Sequence, residues 1–164
     1  MNSSKHYNVF IVETNKMYSF LINYKLQRST SFEITSYSSG GQCVQNLHRK
    51  PTVIVLDYKL LGNGTIRILN LIKERSRKSS VIIILEQEDQ TILQELSKEG
   101  NYDFLVKDKD STKLADMLIQ RIMNSIARRE FKDLQFKRKL IGVLITGILV
   151  VILCIFSLKF KSGR

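Results

Sequence analysis

Residues 53–60 read VIVLDYKL. Four consecutive apolar residues closed by an aspartate mark a strand buried on both faces, because a strand with one wet face would alternate apolar and polar positions. Residues 81–85 (VIIIL) repeat the pattern. Working outward, residues 9–12 (VFIV) predict a first strand and residues 104–106 a fifth, while residues 32–37 alternate loosely and predict an edge strand. Between them lie segments with helical spacing. Met17, Phe20, Leu21 and Tyr24 define one helical face. Gly40-Gly41 breaks the chain before a short helix with Cys43, Val44 and Leu47. Gly62 and Gly64 mark a loop before Ile66, Leu69 and Ile72; Ile92, Leu93 and Leu96 form a helix closed by Gly100. Asp110 and Ser111 can cap a last helix with Leu114, Leu118, Ile122 and Ile126 on one face.

The order is (βα)5: an α/β chain with a doubly wound parallel sheet covered on both sides and right-handed crossovers. In such sheets chemistry gathers at the carboxyl ends of the strands. Those ends carry Glu13-Thr14-Asn15, Asp57, Leu85-Glu86 and Lys107. Two acids and a lysine at three strand ends suit a phosphate and Mg2+ site; ordinary polar loop residues after apolar strands are the plainer reading.

Composition narrows the rest. The chain has 164 residues, a formal charge of +11, 43% hydrophobic and 25% charged residues, enough apolar content for one folded domain. Cys43 and Cys154 cannot build a disulfide framework, and two histidines, His6 and His48, with no CxxC argue against zinc. The first ten residues lack the apolar core of a signal peptide. Residues 140–158 (LIGVLITGILVVILCIFSL) carry no charge, and as a helix would extend roughly 28 Å, about a bilayer's hydrocarbon thickness. This predicts a single C-terminal transmembrane helix. Basic residues flank it: Arg121, Arg128, Arg129, Lys132, Lys137, Arg138 and Lys139 before, Lys159, Lys161 and Arg164 after. They fit lipid headgroups better than nucleic acid, and their bias places the preceding residues in the cytoplasm at the inner membrane. No Gly or Pro interrupts residues 111–141, which predicts that the last helix continues into the apolar run.

Residues 53–60 together with 99–110 (EGNYDFLVKDKD) carry a resemblance. From Tyr7 to Arg129 the chain resembles the receiver domain of two-component response regulators, with its CheY-like, flavodoxin-like fold. With the charge and hydropathy pattern, the resemblance gives a division into a receiver (1–127), a basic juxtamembrane helix (128–139), the span (140–158) and a short basic tail (159–164). It further implies that Asp57 accepts a phosphoryl group from a histidine kinase or phosphotransfer protein. Lys107 would pair with the phosphoryl oxygens, and Phe104 would be the aromatic switch residue. Glu13, Asp57 and the main-chain carbonyl of Lys59 would hold Mg2+. Two departures stand out. Thr14 replaces an expected metal-binding carboxylate, which weakens cation binding. Leu85 stands where the family has the switch hydroxyl, and leucine cannot hydrogen-bond a phosphoryl group.

Two readings follow: a phosphate-accepting receiver, or a degenerate receiver serving as a membrane docking module independent of phosphorylation. Neither is an enzyme, and residues 121–139 are too few for a DNA-binding helix-turn-helix. Gly142 and Gly147 lack GxxxG spacing and suggest a homodimer through the span only weakly.

Overall fold

The computed structural model describes residues 7–29, 32–61, 64–100 and 102–162, and their side chains except at 28, 29, 61, 111, 154 and 156–162. Five strands, β1 (Tyr7–Val12), β2 (Phe32–Tyr37), β3 (Val53–Asp57), β4 (Ser80–Leu85) and β5 (Asp103–Val106), alternate with helices. These are α1 (Lys16–Ser29), α2 (Gly40–Gln45), α3 (Tyr58–Leu61), α4 (Thr65–Arg75), α5 (Gln90–Glu99) and α6 (Ser111–Ser162), with a 3-10 turn at Leu47–Arg49. All neighbouring strands pair in parallel, in the order β2-β1-β3-β4-β5. The expected (βα)5 sheet is present, and its reversal of order falls between β1 and β3, where a doubly wound sheet opens a crevice at its carboxyl edge.

Period-two alternation divides the core between the two faces of the sheet. Val9, Ile11, Val53, Val55, Ile82 and Ile84 pack with Tyr18, Ile22 and Leu26 of α1 and Leu114, Leu118, Ile122 and Ile126 of α6. Phe10, Val12, Ile54, Leu56, Ile83 and Leu85 face Val44, Leu69, Ile72 and Leu96 from α2, α4 and α5. β3 is buried along its whole length, as its unbroken apolar run requires. β2, at the sheet edge, stays only partly covered.

Two local expectations change. The covered face of α1 is Tyr18, Ile22 and Leu26, while Met17 and Phe20 are 77% and 68% exposed. Apolar side chains lie all round this helix, so i, i+3, i+4 spacing did not single out the face that docks. Gly40 and Gly41 do not break the chain: they open α2, whose N-cap Ser39 accepts the amide of Gln42. Gly62 lies outside the described residues.

The larger correction concerns residues 140–158. Among the described residues no helix is long and apolar enough to cross a membrane. α6 carries this segment as helix. The transmembrane tail, the lipid bilayer as partner, inner-membrane localisation and the membrane docking module all rested on that span and fall with it. The chain divides into two compact units, Met1–Ile126 and Ala127–Arg164. In the second, the helical residues Phe131, Leu134 and Phe136 are exposed.

Candidate functional site at the carboxyl edge of the sheet

The carboxyl ends of β1, β3, β4 and β5 bring four charged side chains together. Asp57 closes β3 and is 2% exposed; Glu13 follows β1 and is 7% exposed. Each has the parity of Val9, Ile11, Val53 and Val55, so it emerges on the sheet face that packs on α1 and α6. Lys107 follows β5, and its amide donates to the carbonyl of Leu85 at 2.8 Å, which fixes its position against the end of β4.

Lys107 Nζ lies at the centre. It donates to Asp57 Oδ2 at 2.7 Å and to Glu86 Oε1 at 2.8 Å, and stands 3.8 Å from Glu13 Oε2. Asp57 Oδ1 accepts the Lys59 amide at 2.9 Å, at the start of α3. Glu13 Oε1 accepts the Asn15 amide at 2.9 Å, and Asn15 Oδ1 in turn accepts the Tyr18 amide, tying the site to the first turn of α1. Glu13 Oε2 is buried without a hydrogen-bond partner.

The electrostatics follow from this packing. Burial raises the Glu13 carboxyl above its usual value; the Asn15 amide opposes this and the Asp57 charge adds to it. Burial works against the Lys107 charge, but hydrogen bonds to Asp57 and Glu86 outweigh it and hold the ammonium above the usual lysine value. The hydrogen bond from Lys107 lowers Glu86. The fixed ammonium can neutralise part of the charge of an incoming oxyanion that the carboxylates alone would repel.

Of the residues singled out from sequence, the fold brings together Glu13, Asp57, Lys107 and the Lys59 backbone. Thr14 is adjacent and exposed, and the Lys59 side chain is exposed. Leu85 and Phe104 are not part of this cluster: Leu85 is buried among the apolar side chains of the other sheet face, and Phe104 packs on that same cluster. Glu86 was missed as a site residue. Its signal is an acid as the first residue after a buried strand, at the end where Leu85-Glu86 closes β4. Among the described residues there is no cluster of three or more His, Cys, Asp or Glu arranged to hold a metal.

Comparison with known proteins agrees with this architecture. The family model described as response regulator receiver domain matches residues 9–119. No curated protein matches. Among solved structures, the signal receiver domain of a LuxO repressor protein from Vibrio parahaemolyticus is 25% identical, with a TM-score of 0.68 over 79% of this chain and 97% of that one. A response regulator from Thermotoga maritima is 17% identical, with a TM-score of 0.64 over 75% and 99%. The phosphorylated cyanobacterial phytochrome response regulator RcpA is 18% identical, with a TM-score of 0.62 over 77% and 94%.

Proposed function

We propose, from the premise that this chain belongs to the response regulator receiver domain family, that it serves in a phosphorelay in which Asp57 takes a phosphoryl group from a histidine kinase or phosphotransfer protein. Receiver domains of this family are signalling modules and not enzymes in the classical sense. The observation that carries the reading is the Lys107–Asp57 contact of 2.7 Å at the carboxyl edge, with Asp57 otherwise buried. In the reaction a carboxylate oxygen of Asp57 forms a bond to phosphorus as the phosphorus–nitrogen bond of a phosphohistidine breaks. The imidazole leaves with the electron pair and takes a proton. Lys107 holds the carboxylate in line and neutralises charge on the transferring group, and the Lys59 amide steadies the other carboxylate oxygen. The receiver takes up residues 1–127 in this reading.

The family is associated with Mg2+-dependent phosphotransfer. Glu13 Oε2, buried and without a hydrogen-bond partner beside Asp57, supplies a carboxylate oxygen suited to a hard cation. Glu13, Asp57 and the Lys59 carbonyl would hold the ion, which supplies neutralising charge to phosphoryl oxygens. With Thr14 neutral, the carboxylates number two and the affinity is reduced.

A second reading, docking independent of phosphorylation, draws on Leu85. Its side chain is 1% exposed in an apolar cluster and offers no hydroxyl to a phosphoryl group. Incubation with acetyl phosphate and Mg2+ separates the two. Phosphate acceptance predicts one acid-stable, base-labile phosphate that Asp57→Ala abolishes. No labelling at any donor or Mg2+ concentration would leave the docking reading.

A further inference from the structure

Glu86 adds a carboxylate that the phosphorylation chemistry does not need. It accepts from Lys107 Nζ at 2.8 Å, nearly the distance at which Asp57 does. An ammonium has three donors, directed roughly tetrahedrally. One serves Asp57 and a second serves Glu86, and the third faces Glu13 at a longer distance. A phosphoryl group on Asp57 needs a Lys107 donor for its own oxygens and, because the acyl phosphate carries nearly two negative charges in place of the carboxylate's one, adds about one further negative charge. The Glu13 and Glu86 carboxylates and a phosphoryl group on Asp57 cannot all share one ammonium.

The carboxylates differ in freedom to leave. Asp57 and Glu13 have side chains only 3% and 4% exposed, set in the sheet edge. The Glu86 side chain is 49% exposed. It sits at the first position after β4, and the exposed Lys59 ammonium lies 4.0 Å away as a second partner. The Leu85 side chain before it is turned into the apolar cluster, so the end of β4 reaches the Lys107 ammonium through Glu86.

We propose that Glu86 is a built-in anionic brake: it occupies Lys107 in the unphosphorylated protein and must exchange it for a phosphoryl oxygen before Asp57 is charged. The proposal rests on Asp57 as phosphoacceptor and names how that site is regulated. In the exchange the Lys107–Glu86 hydrogen bond breaks, one to a phosphoryl oxygen forms, and the Glu86 carboxylate passes to water or to Lys59. Glu86 acts through Lys107, as a positioning residue.

Full-length protein and its Glu86→Gln and Glu86→Ala variants separate this role from a bystander salt bridge. The probe is acetyl phosphate at saturating Mg2+, with acyl phosphate formation followed over time. Both variants remove the charge, and Gln keeps the shape. A half-exposed ion pair predicts labelling about threefold faster, or more, in both variants. That advantage should narrow as salt is raised, because screening weakens the brake in the wild type alone. A second readout is the affinity for beryllium fluoride with Mg2+, measured by fluorine NMR, which should tighten by a similar factor. Wild-type labelling with equal or slower variants overturns the brake and leaves Asp57 as acceptor. Labelling of the variants alone supports both ideas strongly. Labelling of none, with no beryllium fluoride bound, overturns the acceptor reading and the brake with it.

Discussion

Replacing Lys107 with methionine keeps the aliphatic stem and removes the charge that Asp57, Glu86 and Glu13 surround. The gross attraction at stake is large: at 2.7 Å and an effective dielectric constant of ~20, the Asp57 pair alone amounts to about 6 kcal/mol. Much of this is offset by the desolvation of both ions. Removing one partner of a buried pair costs about 3–5 kcal/mol. The Lys107 side chain is 22% exposed and water can reach the vacated site, so a loss of ~2–3 kcal/mol is expected at pH 8. For a unit of this size that lowers the melting temperature by roughly 8–12 °C.

The pH dependence is the sharper test. Glu13 already has a raised carboxyl, and Lys107 is one of the influences that lower it. In the variant it rises further. A group whose folded pKa exceeds its unfolded value binds more protons when folded, so its contribution to stability is lost as pH climbs from the ordinary glutamate value through the folded one. The deficit of Lys107→Met should therefore be greatest near pH 8 and shrink toward pH 5. Adding Asp57→Asn, which removes the stranded charge, should recover most of it. Urea unfolding followed by tyrosine emission suits the question, because all six tyrosines lie within the first unit and there is no tryptophan. A deficit below about 1 kcal/mol, or one that does not change between pH 5 and 8, would refute the claim that Lys107 compensates buried carboxylates.

Other perturbations test other parts of the fold. Cys43 is fully buried on the α2 side, and burial pushes its thiol up to about 12, so alkylation at pH 8 should label it only after unfolding, as read by peptide mass spectrometry. Gly100→Ala would place a methyl group 2.8 Å from Cζ and Oη of Tyr102. Its backbone is extended, so the cost is displacement of the ring, about 1–3 kcal/mol in a thermal melt, and Tyr102→Ala should cancel the increment. Thr14→Asp restores a carboxylate beside Glu13 and should lower the Mg2+ concentration for half-maximal labelling severalfold; an unchanged requirement would remove Glu13 and its neighbour from the metal site. Phe10→Ala empties a fully buried position that meets Tyr37 edge to face at 4.9 Å, and should cost about 3–5 kcal/mol in urea.

The alternation of short apolar runs with helical spacing was enough to read the five strands and their order along the chain. Residues 53–56 and 81–85 can be satisfied only in the middle of a covered parallel sheet, because nothing in them tolerates water. Asp57 and Lys107 were legible for the same reason: a polar side chain that ends such a run has to emerge at the sheet's carboxyl edge. Local spacing could not say which side of α1 would dock, since Met17, Phe20 and Tyr24 are as apolar as Tyr18, Ile22 and Leu26; the choice was made by the surface that β1 and β3 present. The span expected over residues 140–158 is overturned as well: among the described residues no helix is long and apolar enough to cross a membrane. Glu86 became part of the site only through the pairing of β4 with β5, which sets Leu85 beside Val106 and so brings the next residue of each strand, Glu86 and Lys107, within 2.8 Å. That contact joins residues 21 positions apart in the chain, and no periodicity within either segment encodes it.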